Sequence, residues 1–219
     1  MSRHGDVVPF DWLARPYDLV MPGADAEALA AGLARADRTV DRALDVGGGS
    51  GRAARAVAGI DWTVVDAARG MLGVADGHGL PTVQGDAATL PIRGESVDAV
   101  VFLDSWHHVG RQRVAVEEAA RVLRPGGVLV VREFDPSTLR GRGLVLAEHL
   151  VGFDSSFLTP DSLAVLAEEY GLRAEVPDRG FVYTVAATKP ERESGPEPET
   201  EAGTDQESES EPEPESEPE

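Results

Sequence analysis

Apolar and polar residues follow one another along this chain in short blocks whose period switches between that of a helix and that of a buried strand. Residues 25–37 are rich in alanine and leucine, with Ala28, Leu29 and Leu33 on one helical stripe. Residues 42–46 read as a first strand, 50–58 as a crossover helix and 61–66 as a second strand. A third, short strand starts at Pro81 and ends at Gly85-Asp86-Ala87. Residues 96–103, Ser-Val-Asp-Ala-Val-Val-Phe-Leu, are almost continuously apolar, as the buried centre of a parallel sheet requires. A helix over 112–123 is stopped by Arg124-Pro125-Gly126-Gly127, and 127–134 reads as a fifth strand. Helical stretches at 139–151 and 160–170 precede 172–176 and 181–188, which read as a hairpin-linked strand pair. The pattern predicts one α/β domain with no internal repeat and no second domain.

Charge changes this picture at the carboxyl end. Residues 191–219 hold 12 Glu and one Asp against one Arg, so this segment carries most of the formal net charge of −19. It alternates Glu with Pro and Ser and holds no aromatic or branched apolar residue to bury against the entropy of ordering its backbone. The expected organisation is a folded domain over 1–190 and a disordered acidic tail over 191–219. The basic residues of the whole chain are 19 Arg and only one Lys, Lys189, a balance that resembles proteins of extreme halophiles. At about 1 M salt a Debye length of roughly 3 Å screens the repulsion of such a surface. Nucleic acid is not an expected partner, because phosphate binding needs basic patches.

The absence of cysteine excludes disulfides, thiolate metal sites and thiol nucleophiles. No stretch approaches the roughly 20 apolar residues of a membrane span, and residues 1–20 do not read as a signal, so a soluble, cytoplasmic protein is expected.

The candidate chemistry gathers at Leu44-Asp45-Val46-Gly47-Gly48-Gly49-Ser50-Gly51-Arg52, a strand end running into a glycine turn and a helix. A dinucleotide fingerprint read from Gly47 and Gly49 needs a small residue at position 52, where this chain has Arg52. The stretch instead resembles the first motif of the class I S-adenosyl-L-methionine (SAM) methyltransferases, and Asp45 suits the ammonium of the cofactor. Asp66 ends the second strand about 20 residues after the first motif glycine, where an acid accepts hydrogen bonds from ribose hydroxyls; the plainer alternative is a helix cap. In the same family an acid at the end of the third strand accepts the adenine amine, and the next backbone N–H donates to the ring. That role falls on Asp86 and Ala87, whose plainer alternative is an Asx turn.

The central strand delivers Asp104-Ser105-Trp106-His107-His108 to the sheet edge where ligands of open α/β sheets bind. Asp104 and His107 are the candidate catalytic bases, against the plainer reading of rings packed under the next helix. Metal binding is not expected: neighbouring side chains usually diverge, and no other His or Cys cluster joins the pair.

The resemblance extends from Phe10 to Pro190 and is closest to the menaquinone and ubiquinone C-methyltransferase branch. It rests on Phe10-Asp11, Tyr17-Asp18, the Gly-Gly-Ser-Gly at 48–51, Asp86-Ala87 with Leu90-Pro91, Arg121-Val122-Leu123-Arg124-Pro125-Gly126-Gly127 and Glu133-Phe134. It implies a Rossmann-like, seven-stranded, mostly parallel sheet with an antiparallel last strand beside the fifth, and helices on both faces. It also implies SAM as cofactor, held by Tyr17, Asp45, Val46, Gly47, Gly49, Gly51, Asp66, Ala67, Asp86, Ala87 and Leu103. The implied acceptor is a small apolar or aromatic molecule such as a quinol ring, facing Trp12, Tyr17, Trp106 and Phe134. Two other classes share the sequence features: a SAM sensor that performs no chemistry, and a nicotinamide oxidoreductase.

Overall fold

A computed structural model describes residues 24–152 and 155–191. The expectations for Phe10, Trp12, Tyr17 and nearly all of the acidic tail lie outside the described residues. In chain order the elements are α1 (Ala26–Leu33), β1 (Arg42–Val46), α2 (Arg52–Ala56), β2 (Asp61–Asp66), α3 (Arg69–Gly77), β3 (Thr82–Gln84) and β4 (Val97–Leu103). A 3-10 turn (Trp106–His108) leads to α4 (Gln112–Val122), β5 (Leu123–Phe134), α5 (Leu139–Val151), α6 (Pro160–Glu169), β6 (Arg173–Asp178) and β7 (Val182–Thr188). The seven strands form one sheet in the order β3-β2-β1-β4-β5-β7-β6. Strands β1 to β5 are parallel, and β7 runs antiparallel between β5 and β6. This is the Rossmann-like α/β sheet expected. No helix among the described residues is long and apolar enough to cross a membrane.

The apolar run of β4 explains its central place. Val100 and Phe102 bury on one face of the sheet with Ala115, Val116 and Ala119 of α4 and Leu163 and Leu166 of α6. Ala99, Val101 and Leu103 bury on the other with Leu29 and Leu33 of α1, Ala53 of α2 and Leu72 and Ala75 of α3. Each large side chain contributes about 1.5–3 kcal/mol of transfer free energy, so the two faces together hold the sheet between helices. Asp25 starts α1 by accepting the Ala28 N–H at 3.1 Å. Gly32 lets that helix lie close on the sheet, because a Cβ there would sit 2.8 Å from Val130 Cγ1.

Two local expectations differ from the structure. The crossover helix expected over 50–58 is only Arg52–Ala56: Gly51 enters it from the left-handed region (φ 80°), and Val57 is already extended. The Arg-Pro-Gly-Gly segment does more than stop α4. Leu123 already pairs with Val97, and the ladder resumes at Val128 opposite Ala99, so residues 124–127 bulge out of β5. Pro125 has no N–H to give a ladder, and Gly126 takes φ 78°. The bulge is fastened by Asp37 N–H to Gly126 O and Gly126 N–H to Lys189 O, both 2.8 Å.

Beside the bulge, at the amino ends of the central strands, the buried carboxylate of Asp98 accepts from Arg124 Nη1 at 2.9 Å and from the backbone N–H groups of Arg42 and Asp41. It also pairs with Arg38 Nε at 2.8 Å. Burial pushes this carboxyl upward, but the Arg124 and backbone hydrogen bonds outweigh it and hold the group below its ordinary range.

Candidate functional site

The carboxyl ends of β1, β2 and β4 meet at the glycine turn. Gly47, Gly49 and Gly51 all have positive φ, at 63°, 57° and 80°, which explains glycine at alternate positions. Packing adds to it at Gly47, where a Cβ would lie 2.9 Å from Ser105 Cβ. The turn is sewn to its neighbours by Gly47 N–H to Val65 O at 2.7 Å and by Ser105 Oγ–H to Val46 O at 3.2 Å. The adjoining loop after β3 is tied in by Gly85 N–H to Asp66 O at 3.0 Å.

Asp66 closes the turn. Its Oδ2 accepts the Gly49 N–H at 2.9 Å, and its Oδ1 accepts the Ala68 N–H at 2.8 Å. The residue is half-buried at the end of β2, and the N-cap of α3 is Ala68 rather than Asp66. Ala67 lies between them, its carbonyl accepting from Gln84 Nε2 at 3.1 Å.

Asp45 lies beneath the turn and is fully buried. Its Oδ2 accepts the Ala54 N–H at 3.2 Å near the start of α2, while Oδ1 has no partner among the described residues. Burial lifts this carboxyl to about 6, against the lowering effect of the Ala54 and Ala53 N–H groups. A Cβ on Gly48 would run into the Asp45 Cγ and stand 2.6 Å from that Oδ1, so only glycine lets the turn lie directly on the carboxylate.

Asp86 is more peripheral. It forms the Asx turn named as its plainer alternative, Oδ1 accepting the Ala88 N–H at 2.8 Å, and its exposed Oδ2 pairs with Arg111 Nη2 at 3.0 Å. Ala87 beside it is half-buried.

At the end of β4, Leu103 is buried and Asp104 adopts a positive φ of 49°. Arg52, the residue that spoils the dinucleotide fingerprint, meets Asp104 Oδ2 at 3.0 Å, with both side chains 12% exposed. Burial raises the Asp104 carboxyl, opposed by the charge of Arg52. The pair joins the glycine-turn helix to the edge where the acceptor is expected.

His107 is held on both sides. Its Nδ1 lies 2.7 Å from Oε2 of Glu133, a fully buried carboxylate that also accepts the His107 backbone N–H at 3.2 Å. Its Nε2 lies 3.4 Å from Oε1 of Glu148 on α5. Burial alone would push the imidazolium downward, but the hydrogen bonds to Glu133 and Glu148 outweigh it and lift the group to about 9. Both ring nitrogens thus face carboxylates, Nδ1 that of Glu133 and Nε2 that of Glu148. Phe157 stacks on it at 4.5 Å and 8°.

The expected aromatic surface changes membership. Trp106 is fully buried and packs edge-on against Phe102 at 4.9 Å, so it belongs to the core and not to an acceptor wall. Phe134 sits 5.2 Å from Phe181 and 6.3 Å from His107, the ring on which Phe157 stacks. Sequence reasoning missed Glu133, Glu148, Arg52 and Phe157 as parts of this edge. A signal existed for Glu148, a lone acid among Leu144, Val145, Leu146 and Ala147 on α5.

Residues 44–131 match the methyltransferase domain family. The chain is 36% identical over 151 residues to a demethylmenaquinone methyltransferase of Mycobacterium sp. (strain KMS), a match that covers 65% of each chain. It thus spans just under two thirds of the length of that curated relative. Among solved structures it is similar to a chain of the complex between the Haloferax volcanii Trm112 methyltransferase activator and the methyltransferase. That match has a TM-score of 0.70 at 21% identity and covers 83% of this chain and 97% of the other. A SAM-dependent methyltransferase from Thermotoga maritima matches with a TM-score of 0.66 at 22% identity, covering 82% of this chain and 98% of the other. The sheet described above is the fold of these proteins.

Proposed function

We propose, from the match of residues 44–131 to the methyltransferase domain family, that this protein is a SAM-dependent methyltransferase acting on a small organic acceptor. The observation that carries the cofactor is the glycine turn closed by Asp66, with the unpartnered, buried Oδ1 of Asp45 lying directly beneath Gly48. A cation brought to the turn supplies the partner that this oxygen lacks, which fits the methionine ammonium. Asp66 then holds the ribose, and Val46, Gly47, Gly49, Gly51, Ala67 and Leu103 shape the cleft. Asp86 and Ala87 take the adenine only if Arg111 releases the Asp86 carboxylate. Tyr17 keeps its proposed place as a residue that closes over the cofactor.

Bound SAM supplies an already activated methyl group, so the chain has mainly to orient the acceptor and exclude water. Asp104 is the proposed proton acceptor, and Arg52 fixes its position. His107, clamped between two carboxylates, positions groups at this edge and does not remove a proton. The walls offered by Phe134, Phe157 and Phe181 suit a ring-shaped acceptor. The Mycobacterium relative supports a demethylmenaquinol-like ring carbon as that acceptor. The acidic segment 191–219 is proposed as a disordered tail on a domain that ends near residue 190.

The test supplies SAM and reduced demethylmenaquinone analogues at molar salt. A carbon-methylated ring together with S-adenosylhomocysteine is the expected result. Methylation of an amine or carboxylate metabolite instead would overturn the quinol acceptor. Tight SAM binding with no S-adenosylhomocysteine from any acceptor in a cell extract would point to a sensor.

A further inference from the structure

The adjacent histidines do not diverge. The 3-10 turn over Trp106–His108 folds back so that the rings of His107 and His108 lie 4.0 Å apart, tilted by 50°. Glu148 reaches the same point from α5, with Oε1 3.4 Å from His107 Nε2. Its other oxygen, Oε2, is buried and has no partner among the described residues. One ligand atom from each of His107, His108 and Glu148 lies within 4.8 Å of the others.

Behind this cluster, Glu133 accepts the Nδ1–H of His107 at 2.7 Å and leaves Nε2 directed at Glu148. A buried carboxylate behind one imidazole nitrogen is the device by which proteins fix the tautomer and orientation of a metal-ligating histidine. One separation already matches: bonds of about 2.0–2.1 Å in a tetrahedral site put neighbouring ligand atoms about 3.3–3.4 Å apart, and His107 Nε2 lies 3.4 Å from Glu148 Oε1, with His108 within 4.8 Å of both. Two imidazoles and one carboxylate suit zinc and its transition-metal neighbours, whereas calcium and magnesium favour all-oxygen sites.

We propose that His107, His108 and Glu148 bind a divalent transition-metal ion, zinc by preference, with Glu133 orienting His107. The ion sits between His107 Nε2 and Glu148 Oε1, where the carboxylate compensates its charge. Three protein ligands leave a fourth position open. The cluster shares its sheet edge with Asp104. On the methyl-transfer reading, an oxygen of the acceptor fills the open position; the metal site itself does not rest on that reading.

The test uses the full chain stripped with a chelator and titrated with Co2+ alone. One Co2+ per chain, with the strong visible absorption of a four-coordinate ion and displacement by Zn2+, is expected. Glu148→Gln and His108→Gln should each weaken Co2+ at least tenfold, while SAM affinity, read separately by calorimetry, stays within twofold. If His108→Gln does not fold, Glu148→Gln decides alone, since its side chain lies at the rim of the cluster. Failure of the wild-type chain to bind Co2+ stoichiometrically, or unchanged affinity in the folded variants, overturns the site. Neither result depends on whether any acceptor is methylated.

Discussion

Oδ2 of Asp66 accepts the backbone N–H of Gly49 at 2.9 Å, so the acid that ends β2 and the middle of the glycine turn after β1 move as one unit. Both oxygens of the carboxylate accept backbone donors, Oδ2 from Gly49 and Oδ1 from Ala68. Removing the carboxylate should therefore act twice. Asp66→Ala should lower SAM affinity at least tenfold, given charge-assisted bonds of about 1.5–3 kcal/mol each. It should also cost about 1–3 kcal/mol of stability, because two backbone donors lose their acceptor. Asp66→Asn keeps an amide oxygen and should lose less stability but still lose affinity. Calorimetry and urea unfolding read the two effects apart, and unchanged affinity in a folded Ala variant would remove Asp66 from the cofactor site.

Asp45 should make stability fall as pH rises. Its carboxyl titrates at about 6 in the fold, against an ordinary value of 3.8. Between those values the folded chain binds the proton more tightly than the unfolded one, so this group's contribution is fully present below about pH 4 and lost above about pH 6. The difference is about 3 kcal/mol. Asp45→Asn should accordingly unfold at higher denaturant than wild type at pH 8, with the gain vanishing near pH 4. The same variant should bind SAM more weakly. A gain independent of pH would show that Asp45 is not a buried titrating group.

The Asp98 cluster should matter for folding alone. Asp98→Ala strands Arg124, Arg38 and two backbone N–H groups at the amino ends of β1 and β4, at a cost of about 3–5 kcal/mol. These groups lie at the opposite ends of the strands from the glycine turn, so the folded fraction should keep wild-type SAM affinity. A loss of affinity at matched folded fraction would contradict that separation.

Arg52 should tune Asp104. Without the guanidinium at 3.0 Å, nothing of comparable strength opposes the rise that burial imposes on the Asp104 carboxyl. Arg52→Ala should move the acidic limb of the kcat/KM profile to higher pH, and Asp104→Asn should lower kcat while leaving SAM affinity nearly intact. A profile that does not shift in Arg52→Ala would take Asp104 out of the proton-transfer role.

Much of this architecture was legible because its signals are local. The unbroken apolar run of 96–103 marks a strand buried on both faces, and it became the centre of the sheet. The interval from Gly47 to Asp66 marks a strand-turn-helix-strand unit, and Asp66 meets the glycine turn at Gly49 on its carboxyl edge. Contacts made only after the chain folds left no such mark. Glu133 and Glu148 reach His107 from β5 and α5, and nothing near 107 in sequence announces them. Trp106 reads equally as a surface aromatic or a core one until Phe102 is seen beneath it. The shortness of α2 depends on the left-handed geometry of Gly51, a conformation that glycine permits but does not compel.

The placement of β7 sets the order in which the molecule can be completed. Among the described residues the last strand to be synthesised is an interior one, pairing Val182 with Phe134 and Thr188 with Val128 while β6 waits on its far side. A growing chain can assemble β1 to β5 with local crossovers, yet the β5 edge stays bare and β6 stays unpaired until residue 188 has been made. During that interval the nascent protein displays an open apolar strand, the feature most prone to pairing with other chains. Any interruption of synthesis between β5 and β7 therefore yields an aggregation-prone fragment rather than a smaller working domain.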